Sequence, residues 1–177
     1  LPLIRNAKVQ RPTVCNALDT LLVHESIAQV FLPRVIDTLK KDGVSFRAHE
    51  NVQPHLVDFP SNLVQPAGPS DFDTEWLSLV LGLKVVGNLE EAIEHIRVHS
   101  TAHSDGILTE DKDNAAEFIR RVDSSVVYTN ASTRFTDGGQ LGLGGEVAVS
   151  TQRLHARGPM GLEELTTYKW VVSGEYH

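Results

Sequence analysis

The chain has 177 residues, of which 41% are hydrophobic and 22% are charged, a composition typical of a globular domain. Its net charge of −7 argues against nucleic acid as a partner, because binding a phosphate backbone requires a basic patch. No apolar run approaches the roughly 20 residues that a membrane-spanning helix needs. The single cysteine cannot form an internal disulfide, which fits a reducing, cytoplasmic environment.

The start of the sequence favours a piece of a longer protein. The first residue is Leu1, and the only methionine is Met160. No signal-peptide pattern of basic, apolar and small residues opens the chain. We therefore expect that the activity of this chain depends on a part of the protein outside it.

Strand patterns alternate with helix patterns along the first 130 residues. The predicted strands are 17–24, 44–49, 79–87, 106–110 and 125–130. Helices are predicted over 88–99, with Asn88 as the cap and Glu91 completing a variant capping box, and over 111–122. This alternation predicts an α/β fold with a mostly parallel sheet flanked by helices. Residues 50–74 are predicted to be a long functional or inserted segment, and "YKWVVSG" a terminal strand.

A proline complicates the first helical pattern. Apolar residues recur every four positions at Ile27, Phe31, Val35 and Leu39, as one helix face requires. Pro33 interrupts this pattern, and proline is disruptive inside a helix. We therefore predict a short turn over 26–31 and a helix from about Pro33 to Lys41, ended by Gly43.

The only cysteine, Cys15, lies in "PTVCNALDTLLVHE", just before an apolar run. A buried structural cysteine usually lies inside such a run, whereas a nucleophile must be reachable on a loop. Lys8 and Arg11 are close in sequence and could favour the thiolate, which is the reactive form. The residues alone leave both interpretations open.

Three histidines, His95, His99 and His103, are spaced by four, which on one continuous helix would suggest a zinc site. The residues from 100 to 106 are poor helix formers, so the helix is predicted to end near His99. In that case the following loop could present His103 and Ser104 to a substrate.

Two further stretches could form part of a site. The glycine-rich stretch "TDGGQLGLGGE" lacks the spacing of a phosphate-binding loop, and it predicts a loop that allows close backbone approach. "NASTRF" follows a strand at its carboxyl end, where ligand crevices of α/β sheets lie. Arg134 in this stretch could clamp a carboxylate or phosphate, or could simply be solvated.

Four strings together carry a family resemblance: "VCNALDTLLVHE", "VGNLEEAIEHIRVHSTAHSDGI", "NASTRFTDGG" and "STQRLHARGPMGLEELTTYKW". With them the chain resembles the later part of the gamma-glutamyl phosphate reductases, which belong to the aldehyde dehydrogenase superfamily. The resemblance implies an aldehyde-dehydrogenase-type catalytic domain over 1–160 and an oligomerisation extension over 161–177. It also implies that the N-terminal NADPH-binding region is absent from this chain.

The resemblance further implies an activity. Members reduce L-glutamyl 5-phosphate with NADPH to glutamate 5-semialdehyde and phosphate, a cytoplasmic step of proline biosynthesis. Homo-oligomers, and the glutamate 5-kinase that supplies the labile substrate, are implied partners.

The resemblance also assigns roles to single residues. Cys15 is the implied nucleophile that forms a thioester. Asn16 lies where the turn positions the thiol of Cys15. Glu75 is the implied ligand of the nicotinamide ribose. The implied substrate-binding residues are His103, Ser104, Asn130, Arg134 and Phe135.

Two alternatives stay open at this level. An ordinary aldehyde dehydrogenase would resolve the thioester with water, for which the sequence offers no clear base. Alternatively, the isolated chain could be a non-catalytic structural or dimerisation module.

Overall fold

The computed structural model describes residues 1–56 and 59–176. Within these residues the helices are α1 (Pro2–Val9), α2 (Glu25–Leu39), α3 (Leu89–His99) and α4 (Lys112–Arg121). The strands are β1 (Thr20–His24), β2 (Ser45–Ala48), β3 (Val64–Pro66), β4 (Val80–Val86), β5 (Ser104–Ile107), β6 (Val126–Thr129), β7 (Val147–Val149) and β8 (Gly158–Met160). None of the helices in these residues has the length and hydropathy needed to cross a membrane.

The strands form three sheets. The first has the order β1-β4-β2-β3, and all of its neighbours are parallel. Strands β5 and β6 form a second parallel sheet, and β7 and β8 form an antiparallel pair. The predicted α/β fold with a mostly parallel sheet is therefore confirmed, although the strands are divided among separate sheets.

The main core lies between α2 and the first sheet. The buried face of α2 consists of Ala28, Leu32, Val35, Ile36 and Leu39. These residues belong to the same cluster as the fully buried Phe46, Leu81 and Leu83 of β2 and β4. Burying each large apolar side chain contributes roughly 1.5–3 kcal/mol, so this layer is the main source of stability.

The prediction of a turn followed by a short helix was wrong, because α2 runs without a break from Glu25 and contains Pro33. An internal proline costs a helix about 3 kcal/mol. The four large buried side chains of α2 outweigh that cost. The helix ends near the predicted position, since Gly43 has a φ of 82° that few other residues tolerate.

Helices α3 and α4 begin as the sequence predicts. The Asn88 side chain accepts a hydrogen bond from the Glu91 backbone N–H at 2.9 Å. The Glu91 carboxylate reaches back to the N–H of Gly87, one residue before the cap, at 2.8 Å. Asp111 caps α4 through the N–H groups of Asp113 and Asn114. The bonds that Asn88 and Asp111 accept satisfy donors that a helix leaves free at its first turn.

Three other predictions differ from the structure in detail. The strand predicted over 106–110 lies at Ser104–Ile107, and the segment 50–74 contains β3, which adds an edge strand to the first sheet. The terminal "YKWVVSG" forms no strand in the described residues, and Tyr168, Trp170 and Val172 are more than three-quarters exposed. A strand requires a hydrogen-bonding neighbour, which this segment lacks within the described part of the single chain.

A crevice of about 1000 Å³ lies beside the edges of the two parallel sheets. It is lined by β1 and β5, the outermost strands of their sheets, and by α3. Ser104, at the start of β5, lies on this wall and also takes part in the site described next.

Candidate active site

Cys15 lies on a short turn between α1 and β1, and it is exposed. Backbone hydrogen bonds of 3.0 Å fix both sides of this turn: Ala17 donates to Val14, and Leu18 donates to Ala7 of α1. The thiol is therefore accessible on an anchored loop, as a nucleophile requires, rather than packed inside a strand.

The neighbouring Asn16 connects the cysteine turn to the segment after β6. It is 4% exposed, and its side-chain amide donates to the Thr136 carbonyl at 2.6 Å. The hydroxyl of Thr133 donates to the Asn16 carbonyl at 2.6 Å. Arg134 donates from Nη1 to Oδ1 of Asn16. Since both polar atoms of the side chain are engaged within the protein, Asn16 positions Arg134 against the cysteine turn.

Charges near Cys15 act on its thiol in opposite directions. Burial raises the pKa of Cys15, and the carboxylates of Glu75 and Glu146 raise it further. The backbone N–H of Cys15 and the guanidinium of Arg134 lower this pKa. Lys8 and Arg11, the cations that the sequence suggested, are not among these influences. The cation that lowers the pKa of Cys15 is Arg134, which is far away in sequence, although the net shift is upward because burial is the largest effect.

The segment that contains Arg134 and Thr136 runs from the end of β6 back to the beginning of β5. The hydroxyl of Thr136 lies 2.8 Å from that of Ser104, the first residue of β5. Cys15 precedes β1, and Glu75 precedes β4. The site is therefore built from the segments that precede β1 and β4, the first residue of β5, and the segment that follows β6. Ala131, Ser132 and Thr133 of "NASTRF" line the crevice beside the two parallel sheets, and the substrate-binding role of this stretch stays a prediction.

His103 and Ser104 belong to a network of side chains. Nδ1 of His103 lies 2.8 Å from Oγ of Ser104, and Tyr128 Oη lies 2.6 Å from Oγ1 of Thr136. His103 is 6% exposed, and burial lowers its pKa, while the nearby Glu146 and Glu75 act to raise it. The same two carboxylates act on the Cys15 thiol, so they place His103 and Cys15 in one electrostatic environment.

Glu75 is held near the thiol through its neighbour. Trp76 donates its backbone N–H to Oδ1 of Asp19 at 3.3 Å, and Asp19 pairs with the fully buried Lys8 at 3.5 Å. Glu75 itself is exposed. An exposed carboxylate beside the thiol can accept hydrogen bonds from ribose hydroxyl groups, which fits the predicted contact with a nicotinamide nucleotide.

Asn130 and Phe135 do not join this cluster through side-chain hydrogen bonds. The amide of Asn130 donates to the Thr109 carbonyl at 2.8 Å and accepts from the Thr109 N–H at 2.9 Å. Its φ of 54° is one that asparagine tolerates. Asn130 thus joins the ends of β5 and β6, and Phe135 is 51% exposed. The substrate-binding roles of both residues stay predictions.

Thr136, Tyr128 and Glu146 were not identified from the sequence. Thr136 and Glu146 border the glycine-rich stretch, for which close backbone approach was the prediction. The structure agrees at Gly138, where an added Cβ would lie 2.8 Å from the Cβ of Glu146. The glycine at position 138 was the one feature of the sequence that pointed to Glu146. For Tyr128 the sequence offered only its position in a predicted strand.

The three spaced histidines do not share one helix, because α3 ends at His99, as predicted. Among the described residues no group of three or more His, Cys, Asp or Glu side chains is arranged to hold a metal ion. His95 is 7% exposed, its Nδ1 lies 3.3 Å from the Lys84 ammonium, and its ring is 4.5 Å from that of His99. Burial, followed by the charges of Lys84, His99 and His49, lowers the pKa of His95 to about 4, against an opposing effect of Asp73.

We expect His95 to make the chain less stable in mild acid. Between pH 6.5 and about 4 the unfolded chain takes up a proton at this position and the folded chain does not. The free energy of unfolding should fall across that window by roughly 3 kcal/mol and then show no further loss from this group. Urea titrations of the chain at several pH values would measure the slope, which His95→Gln should reduce. The matched control His155→Gln changes an exposed ring and should keep the wild-type slope, and an equal slope in both variants would contradict the assignment.

The chain is similar to known proteins over nearly its whole length. No family sequence model matches it. It is 58% identical over 173 residues to the gamma-glutamyl phosphate reductase of Shewanella piezotolerans, covering 98% of this chain and 41% of that protein. The crystal structure of gamma-glutamyl phosphate reductase from Thermotoga maritima superposes with a TM-score of 0.90 at 55% identity, covering 99% of this chain and 41% of that one.

A more distant match supports the fold alone. A propionaldehyde dehydrogenase from Clostridium phytofermentans has a TM-score of 0.56 at 14% identity, over 90% of this chain and 43% of the other. The chain spans about two fifths of the length of the curated relatives it matches. In sequence and in fold, the chain is therefore similar to one part of the gamma-glutamyl phosphate reductases, and its fold is of the aldehyde dehydrogenase type.

Proposed function

We propose that the protein containing this chain reduces L-glutamyl 5-phosphate with NADPH to L-glutamate 5-semialdehyde and phosphate, with Cys15 as the nucleophile. The observation that carries the proposal is an exposed thiol on an anchored turn, beside the Arg134 guanidinium that Asn16 holds in place. The similarity to curated reductases supports it, since they are 55–58% identical to the chain.

Cys15 performs the covalent chemistry. Its thiolate attacks the acyl carbon, so a C–S bond forms, the C–O bond to phosphate breaks, and phosphate leaves. The backbone N–H of Cys15 is the candidate donor to the oxyanion, a type of contact whose loss typically costs a factor of roughly 100–1,000 in rate. When the thioester carbon is reduced, the C–S bond breaks, the aldehyde leaves, and Cys15 returns as thiolate. Dividing the reaction in this way replaces one difficult step by two easier ones.

Charged residues bind and orient in this proposal. Arg134 binds the phosphate or carboxylate of the substrate, since a guanidinium matches both groups with paired hydrogen bonds. Glu75 binds the nicotinamide ribose, and NADPH, when bound, supplies a hydride to the thioester carbon. The residues that bind the rest of the nucleotide are assigned to a region outside this chain. Residues 1–160 then form the catalytic part.

Phosphate dependence distinguishes this reaction from that of an ordinary aldehyde dehydrogenase. Run backwards in the full-length protein, NADP+ reduction with glutamate 5-semialdehyde should require phosphate, because phosphate resolves the thioester. A rate that is the same with and without phosphate would mean that water resolves it, and would refute the proposal. The isolated chain serves as a control and should show no activity.

The segment 161–177 is proposed to assemble subunits into a homo-oligomer. Its aromatic and aliphatic side chains at Tyr168, Trp170, Val171 and Val172 are 75–91% exposed. Such side chains are stabilised when a strand from one subunit pairs with another subunit. Sedimentation of full-length Trp170→Asp should show smaller particles than the wild type, and unchanged particles would contradict this role.

An acyl phosphate is labile, which favours direct supply of the substrate. We therefore also propose the glutamate 5-kinase as a partner, within cytoplasmic proline biosynthesis. Co-sedimentation of the two purified proteins tests this proposal, and separate migration at all concentrations would contradict a stable complex.

A further inference from the structure

An unbroken chain of hydrogen-bonded side chains leads from Tyr128 to His103. Tyr128 Oη lies 2.6 Å from Thr136 Oγ1, which lies 2.8 Å from Ser104 Oγ, and Ser104 Oγ lies 2.8 Å from His103 Nδ1. Thr136 is 4% exposed, and its carbonyl accepts a hydrogen bond from the Asn16 amide. Through Asn16, which also binds Arg134, the hydrogen-bonded side chains are connected to the cysteine turn. These hydroxyl groups are therefore part of the candidate active site.

The hydrogen-bond partners give this chain a direction. In the described residues the only side-chain partner of the Tyr128 hydroxyl is Thr136, so the phenolic proton is satisfied within the protein only if Tyr128 donates. Burial raises the pKa of Tyr128, which keeps that proton in place at neutral pH. Thr136 then donates its one proton to Ser104, because among the described residues Ser104 is the remaining hydrogen-bond partner of the Thr136 hydroxyl. Ser104 in turn must donate to His103, whose Nδ1 accepts.

We propose that Tyr128, acting through Thr136 and Ser104, holds His103 as the neutral tautomer with its proton on Nε2. His103 then serves the substrate as a hydrogen-bond donor to an anionic oxygen, and Tyr128 is a positioning residue for it. The tautomer rests on the geometry alone. The identity of the oxygen, a carboxylate or phosphoryl oxygen of glutamyl phosphate, rests on the proposed function.

The other ring nitrogen of His103 is the position from which the proposed hydrogen bond to a ligand would be donated. Nε2 of His103 is buried and has no hydrogen-bond partner among residues 1–56 and 59–176. An N–H left buried without an acceptor is costly, and an oxygen of a bound ligand would satisfy it. Burial lowers the pKa of His103, so the ring stays neutral at neutral pH. With Nδ1 occupied by Ser104 and Nε2 protonated, His103 has no lone pair available to deprotonate Cys15.

The tautomer can be measured directly by NMR, without substrate. Full-length protein labelled with ¹⁵N-histidine gives distinct imidazole nitrogen shifts for the two tautomers, and His103→Gln identifies the signals. At neutral pH we expect one set of signals with the proton on Nε2. A proton on Nδ1, or an average of both tautomers, would overturn the proposal.

A matched pair of variants tests the part played by Tyr128. Tyr128→Phe removes the phenolic proton, so the Thr136 hydroxyl can turn either way and His103 should become a mixture of tautomers. Thr136→Ser keeps the hydroxyl and should keep the single tautomer. A single Nε2–H tautomer in Tyr128→Phe would show that the phenol does not set it.

Kinetics then test the substrate contact. With the donor no longer fixed, Tyr128→Phe should raise KM for glutamyl phosphate roughly tenfold, about the effect of one weakened hydrogen bond, and change kcat less. An unchanged KM would contradict the contact between His103 and the substrate. If the full-length protein shows no reductase activity, the proposed function fails, while the NMR result still decides the tautomer.

Discussion

Cys15→Ala in the full-length protein is expected to lower kcat on the order of 10⁴-fold or more, since removing the nucleophile of a covalent mechanism has effects of this size. The substitution removes an exposed sulfur from a turn that backbone bonds to Val14 and Ala7 fix. The fold should therefore be unchanged. Initial rates of NADPH oxidation with glutamyl phosphate would measure the loss, and circular dichroism would confirm the fold.

The controls for this prediction use the charges around the thiol. His155→Gln, an exposed change outside the site, should keep the wild-type rate. Because Arg134 lowers the pKa of Cys15 and Glu146 raises it, alkylation by iodoacetamide at neutral pH should slow in Arg134→Met and speed up in Glu146→Gln. Substantial turnover by Cys15→Ala would contradict the role of the cysteine.

The sequence predicts those parts of the fold that depend on local chemistry. Asn88 and Glu91 predict the start of α3, because capping hydrogen bonds join residues that are three or four positions apart. The path of α2 through Pro33 could not be predicted locally, since it depends on a layer of apolar contacts with β2 and β4. The short strand β3 was missed for the same reason, because its pairing with β2 is a long-range contact.

In the candidate site, too, local sequence predicts some residues, while contacts between distant segments could not be predicted. Cys15 stands out because a lone cysteine on a loop is unusual beside an apolar strand, and the resemblance to the reductases gives it a role. The hydrogen bond between Asn16 and Arg134 joins residues 118 positions apart in sequence, so no rule of local spacing predicts it. The same holds for Thr136, whose hydroxyl meets Ser104 across 32 residues. The resemblance implies a substrate-binding role for Asn130, which stays a prediction, while the hydrogen bonds between its amide and the backbone of Thr109 join positions 21 residues apart and follow from no local pattern.

The pair of Lys8 and Asp19 shows how the site depends on a buried charge. The side chain of Lys8 is 0% exposed, and that of Asp19 is 27% exposed. At 3.5 Å the ammonium and the carboxylate form an ion pair longer than an ordinary hydrogen bond. Burial lowers the pKa of Lys8, and Asp19 opposes that change. Asp19 also accepts from Trp76, so the pair links α1 to the segment that carries Glu75.

Asp19→Asn is expected to destabilise the chain by about 3–5 kcal/mol at pH 7, because it leaves the Lys8 ammonium buried without a counter-charge. The amide oxygen can still accept from Trp76, so the substitution tests the charge rather than the hydrogen bond. Urea unfolding of the 177-residue chain would measure the loss. The penalty should shrink as the pH rises, since the folded state holds the pKa of Lys8 below its ordinary value and the unfolded chain binds the extra proton.

The double variant Lys8→Met/Asp19→Asn separates a buried charge from a packing defect. Methionine fills a similar volume without a charge, and well-packed apolar replacements of buried ion pairs are often neutral or stabilising. We therefore expect the double variant to recover most of the stability lost by Asp19→Asn alone, a strongly non-additive result for two residues in contact. Equal instability of the single and double variants would contradict the assignment of the loss to an uncompensated charge on Lys8.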